Sequence, residues 1–143
     1  MNLPQHIALT CAASAVMIPF LRWWELLLFA IGSILIDVDH YIVYIQRRKN
    51  FNVRGMFQYF AVLDQIHQTV PYAGLFIFHL FDFFLLVGIV CFFHPFLFPL
   101  LAGMLFHFTA DLIELTRKGR PFIRPYLLIE HLVRRRSIGY PYY

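Results

Sequence analysis

The sequence predicts an all-α fold, a polytopic membrane bundle of about four transmembrane helices with additional interfacial helices, forming one domain. Three observations predict it. Hydrophobic residues fill 60% of the 143 positions and charged residues only 14%, far from the balance of a water-soluble domain. Apolar runs such as Leu26 to Ile45 reach the roughly 20 residues a helix needs to cross a bilayer. Lipid admits only helices and closed barrels, and these runs far exceed the roughly ten residues of a barrel strand. The basic residues, finally, collect in clusters around Arg47, Arg117 and Arg134, as topology signals do.

The elements follow in order. Ile7 to Leu21 is a first, short apolar run that ends near Pro19. Arg22-Trp23-Trp24-Glu25 is a polar and aromatic group suited to a membrane interface. No Lys or Arg precedes the first run, so it reads as a retained membrane segment rather than a cleaved signal. Leu26 to Ile45 is the second span, followed by a basic loop and an interfacial helix from Met56 to Gln68. Pro71 opens a third span ending near Phe93. His94-Pro95 and Pro99 make a turn at the outer interface, and Leu97 to Leu115 is the fourth span. Gly119 and Pro121 break the chain before a short amphipathic helix, Tyr126 to Val133, in which His131 is expected to be solvated.

With both termini cytoplasmic, all but Arg22 of the 12 Lys and Arg residues lie inside. The expected partner of the basic clusters is therefore membrane lipid, not nucleic acid. Cys11 and Cys91 lie in apolar runs and read as buried, inert thiols.

Chemistry is concentrated in Gly32-Ser33-Ile34-Leu35-Ile36-Asp37-Val38-Asp39-His40-Tyr41. A charged side chain at a helix centre costs about 2.5–3.5 kcal/mol on insertion scales. Chains tolerate that where the groups face a cavity, pair with each other, or hold a metal. Asp37 and His40, three apart, share a helix face. Asp39 points about 100° away from His40, which suits it to orienting a ligand rather than being one. His79 and Asp82 repeat an i,i+3 pair, His107 and Asp111 an i,i+4 pair, and His6 opens the first helix. On the four-span topology all of them fall in the inner-leaflet half.

The expected metal ligands are His6, Asp37, His40, His79, His107 and Asp111, holding one or two divalent ions, zinc first among Zn, Mn, Fe and Mg. Asp39 and Asp82 are the expected catalytic carboxylates, each orienting a ligand or serving as general base. His67 is the rival to His79 as the central ligand, but it lies in the interfacial segment, and depth favours His79. A different class remains open: a non-enzymatic metal-binding, ion-conducting or proton-conducting membrane protein using the same residues.

At these residues the chain resembles a family of small prokaryotic membrane proteins described as predicted membrane-bound metal-dependent hydrolases. The resemblance rests on His6, the Gly-Ser-x-x-x-Asp-x-Asp-His segment from Gly32 to His40, a central His, and His107-x-x-x-Asp111. The family's commoner central motif, His-Arg-x-x-Thr-His-Ser, is absent; His67-Gln68-Thr69 or His79-Leu80-Phe81-Asp82 stands in its place. That family is in turn similar to the zinc-dependent phospholipase C and P1 nuclease group, helical enzymes that cleave phosphoesters. The resemblance implies an inner-membrane hydrolase acting on a phosphoester or lipid head group through a metal-activated water.

Overall fold

The computed structural model describes residues 3–66 and 74–137, and every regular element among them is helical. The helices are α1 (Leu3–Met17), α2 (Trp23–Leu35), α3 (Val38–Arg48), α4 (Val53–Ile66), α5 (Phe81–Phe93), α6 (Phe98–Arg117) and α7 (Leu128–Arg136), with 3-10 turns at Ile77–His79 and Pro95–Leu97. Two stretches, Trp23–Arg48 and Pro95–Arg117, are long and apolar enough to cross a membrane; α5 is apolar but shorter. Large apolar side chains face outward, Phe20, Trp23, Phe92 and Phe93 each being at least 70% exposed. Cys91 is buried as expected, whereas Cys11 is exposed on α1.

The chain divides into two compact units. One comprises the residues up to Ile36 with Phe83–Glu114, the other Asp37–Asp82 with the residues from Leu115 on.

In the first unit, Glu25 reaches back to accept the Arg22 N–H at 2.7 Å, starting α2 at the Trp23-Trp24 pair. α2 and α6 then touch backbone to backbone. A Cβ on Gly32 would lie 2.1 Å from the Leu100 carbonyl oxygen, and one on Gly103 2.0 Å from that of Phe29. Only glycine permits this approach. It fixes the register that lines up the buried stripe of α6, Gly103, Met104, His107, Phe108 and Asp111. Phe84 of α5 packs edge-on against Phe108, ring centroids 5.1 Å apart.

The second unit begins at a tightened turn. Asp37 has ψ near −3°, and His40 N–H reaches back only three residues to the Asp37 carbonyl. The expected second span is thus helical from Trp23 to Arg48 but interrupted at Ile36–Asp37, with no Gly or Pro to announce the turn. Lys49, in the left-handed region at φ 51°, caps α3 by donating to the Ile45 carbonyl. Asn52 Oδ1 accepts the Arg54 N–H at 3.0 Å and so starts α4.

The third element departs most from expectation. Helix α5 begins at Phe81, not near Pro71, and His79 sits in the 3-10 turn before it. Pro71 and His67 lie outside the described residues. His131, expected in water, is 2% exposed: α7 turns His131 and Arg134 inward and leaves its apolar side chains Ile129 and Val133 outside.

Candidate metal centre

The ligands read from the sequence fall into two groups of the same composition, one in each unit: His6, His107 and Asp111, and Asp37, His40 and His79. Within each group the donor atoms lie within 4.8 Å of one another. Each offers two imidazole nitrogens and one carboxylate oxygen.

The first group is assembled by helix spacing and close packing. His107 and Asp111 share the α6 stripe, and the Gly103 contact brings α2 within reach, so that His107 Nδ1–H donates to the Ser33 carbonyl at 2.7 Å. That bond fixes the tautomer and leaves the lone pair on Nε2, the form a metal needs. His107 Nε2 lies 3.9 Å from Asp111 Oδ2, and His6 Nε2 lies 3.0 Å from Asp111 Oδ1. The His6 ring stacks on that of His107 at 3.7 Å between centroids. One turn along α1, the Thr10 hydroxyl bonds the His6 carbonyl at 2.8 Å and the Ser33 hydroxyl at 2.7 Å, tying α1 to α2 beside the group.

The second group is organised by Asp39, which is 3% exposed. Its Oδ2 accepts the Phe78 N–H at 3.1 Å and lies 2.9 Å from His79 Nδ1. A carboxylate can only accept, so His79 carries its proton on Nδ1 and presents Nε2 towards Asp37 Oδ1, 3.8 Å away. His40 Nδ1 lies 3.4 Å from Asp37 Oδ1 and 2.9 Å from Asp39 Oδ1. Although this last pair is close, neither buried atom is aligned for a hydrogen bond. The His40 ring is held by Phe76, stacked at 4.4 Å, and by Phe60, edge-on at 5.1 Å.

These distances suit a metal. Tetrahedral zinc with bonds near 2.1 Å separates its donors by about 3.4 Å. The pairs just given, from 3.0 to 3.9 Å, bracket that value. The misaligned Asp39 Oδ1 and His40 Nδ1 add buried polar atoms of the kind an ion would satisfy.

Asp82 is not brought to either group. It is exposed, and its Oδ2 accepts the Leu128 N–H at 2.8 Å, capping the start of α7. The i,i+3 face it was expected to share with His79 does not form, because the helix begins after His79.

One residue escaped the sequence reading. Arg124, counted there as a topology charge, is 5% exposed in the irregular segment before α7, and its charge acts on both His40 and His79. The available signal was its position in Pro121-Phe122-Ile123-Arg124-Pro125, a stiff apolar run where a merely solvated Arg is out of place.

Comparison with protein-family models, curated proteins and solved structures found no match for this chain.

Proposed function

We propose that this protein is a membrane-embedded hydrolase dependent on divalent metal, with one ion at each His-His-Asp group, acting on phosphoesters at the inner leaflet. The observation that carries the reading is the pair of like donor sets, each with an imidazole whose proton is committed to an oxygen. Two nitrogens and one oxygen are the donor set of many catalytic zinc sites, where a fourth position stays open. The resemblance read from Gly32 to His40 and from His107 to Asp111 points the same way, as does zinc over the other candidate metals.

A divalent ion there supplies Lewis acidity and acidifies a water towards neutral pH. The chain's own residues do the rest. His40, braced by Phe60 and Phe76, and His79, braced by Asp39, hold fixed orientations. Asp39 acts here as a positioning group, being buried and engaged at Oδ2. In hydrolysis the water oxygen adds to phosphorus, the ester P–O bond breaks, and the leaving oxygen takes a proton. Asp37, one of the two more exposed members of its group, is the carboxylate placed to pass that proton on.

Four spans, formed by α1, the α2–α3 run, α5 and α6 with both termini cytoplasmic, agree with the outward apolar side chains and the basic clusters. The family resemblance implies a prokaryotic inner membrane as the setting. A second reading, a non-enzymatic metal-binding protein, is favoured by the closure of the first group, where His6, His107 and Asp111 side chains are 3%, 0% and 11% exposed. Hydrolysis of bis(p-nitrophenyl) phosphate by the zinc-loaded protein in detergent separates the two. Turnover lost on His40→Ala supports the hydrolase. Bound zinc with no turnover of any phosphoester tested supports the second reading.

A further inference from the structure

Helix α1 brings His6 to the first group, and the face it turns inward is polar at its centre. Of its described side chains only His6 and Thr10 are buried, each 2% exposed, while Ile7, Leu9 and Val16 face outward. Ala13, Ser14 and Met17 are half-buried and continue the same face at helical spacing. In lipid an apolar face gains little by turning inward, because acyl chains are as apolar as a neighbouring helix. The rotation of this mostly apolar helix about its axis is therefore left to its polar contacts.

Those contacts converge on Ser33 of α2, which is 1% exposed and belongs to the same unit. Its hydroxyl oxygen lies 2.7 Å from that of Thr10. Thr10 donates its own proton to the His6 carbonyl at 2.8 Å, so Ser33 is the donor in the hydroxyl pair and both orientations are set. The Ser33 carbonyl meanwhile accepts His107 Nδ1–H at 2.7 Å. One residue thus locates His107 through its backbone and the helix of His6 through its side chain. One turn from Thr10, the His6 ring stacks on His107 at 3.7 Å and its Nε2 lies 3.0 Å from Asp111 Oδ1. His6 and Thr10 share a helix face, so a rotation of α1 that parted Thr10 from Ser33 would swing His6 the same way.

We infer that Thr10 and Ser33 are positioning residues for the ion of the first group: their hydroxyl pair sets the rotation of α1 that makes His6 a ligand beside His107 and Asp111. This rests on the metal reading above. Neither hydroxyl touches the ion in this role. A ligand aimed by a neighbouring hydrogen bond loses affinity with that bond, typically 10–100-fold. Thr109 supplies the contrast. It makes the same kind of bond to the carbonyl four residues back, that of Leu105 at 2.7 Å, but it is exposed on α6.

The test is made in full-length Asp37→Ala protein, which lacks a ligand of the second group and leaves the first to be read. Zinc affinity is measured in detergent by competition with a chromophoric chelator after adding Thr10→Val, Thr10→Ser, Ser33→Ala or Thr109→Val. Hydrogen exchange across α1 is followed by mass spectrometry on the same proteins stripped of metal. Thr10→Val and Ser33→Ala are each expected to weaken zinc at least tenfold and to speed exchange in α1. Ser33→Ala should do so although the carbonyl that holds His107 remains. Thr10→Ser, which keeps the hydroxyl, and Thr109→Val should stay within threefold of the Asp37→Ala protein. Affinity within threefold in either Thr10→Val or Ser33→Ala overturns the inference. So does a loss in Thr10→Ser or Thr109→Val as large as that in Thr10→Val. Should Thr10→Val fail to fold, Ser33→Ala decides alone. An Asp37→Ala protein that binds no zinc defeats the metal reading, and exchange then judges the hydroxyl pair by itself. Faster exchange in Thr10→Val supports its hold on α1, and unchanged exchange overturns it.

Discussion

Replacing Asp39 by Asn tests the organisation of the second group with almost no change in volume. Asp39 Oδ2 accepts from Phe78 N at 3.1 Å and lies 2.9 Å from His79 Nδ1. An Asn has two ways to fit. With its carbonyl oxygen in the Oδ2 place it keeps both bonds but loses the charge that raises the basicity of His79. With its amide nitrogen there, it confronts the Phe78 N–H and drives the His79 proton to Nε2, the tautomer that cannot bind metal. Loss of such a supporting carboxylate typically costs 10–100-fold in metal affinity, about 1.4–2.8 kcal/mol. That agrees with the roughly 1.5–3 kcal/mol of a hydrogen bond to a charged group. The assay is competitive zinc titration against a chromophoric chelator in detergent. One of two sites should weaken by 10–100-fold while the other is unchanged. An affinity within threefold of wild type at both sites would refute the assignment, as would equal weakening of both.

Other outcomes follow from single contacts. Gly103→Ala puts a methyl 2.0 Å from the Phe29 carbonyl oxygen and 2.9 Å from Ser33 N, so α2 and α6 must part. Overpacking against backbone should cost about 3 kcal/mol, read by thermal unfolding, and should weaken zinc at the first group because Ser33 orients His107. Asp82→Ala removes the acceptor of the Leu128 N–H and should lower stability by about 1 kcal/mol with zinc affinity unchanged. His79→Ala should lower zinc affinity at the second group by more than tenfold and His67→Ala should not; the reverse pattern would return the central ligand to His67.

The helical class was legible because the apolar runs far exceed the length of a barrel strand, which leaves helices as the structure such runs would form in lipid. That His6, Asp37, His40, His79, His107 and Asp111 would gather into polar groups was legible because ionisable groups in apolar runs must be compensated. Pairs at i,i+4 such as His107 and Asp111 survive small errors in helix boundaries, so that face was readable. The i,i+3 pair of His79 and Asp82 did not survive, because it depends on where α5 starts, and a 3-10 turn before a helix leaves no distinct mark. The turn at Ile36–Asp37 was hidden for the same reason, having neither Gly nor Pro. His131 was hidden by its company, since a His beside Arg134, Arg135 and Arg136 reads as solvated. Arg124 was counted with the basic cluster although its proline-flanked apolar run set it apart. The docking of the 121–126 segment and α7 buries both. The role of Ser33 in orienting His107 depends on a backbone carbonyl, which carries no sequence signal at all.

The most direct measurement is the metal content of the purified protein, by elemental mass spectrometry, for wild type, Asp37→Ala and His107→Ala. Two divalent ions per chain in wild type, predominantly zinc, and about one in each variant is the result this account predicts, since each variant removes a ligand from a different group. Equal metal content in all three proteins would contradict it.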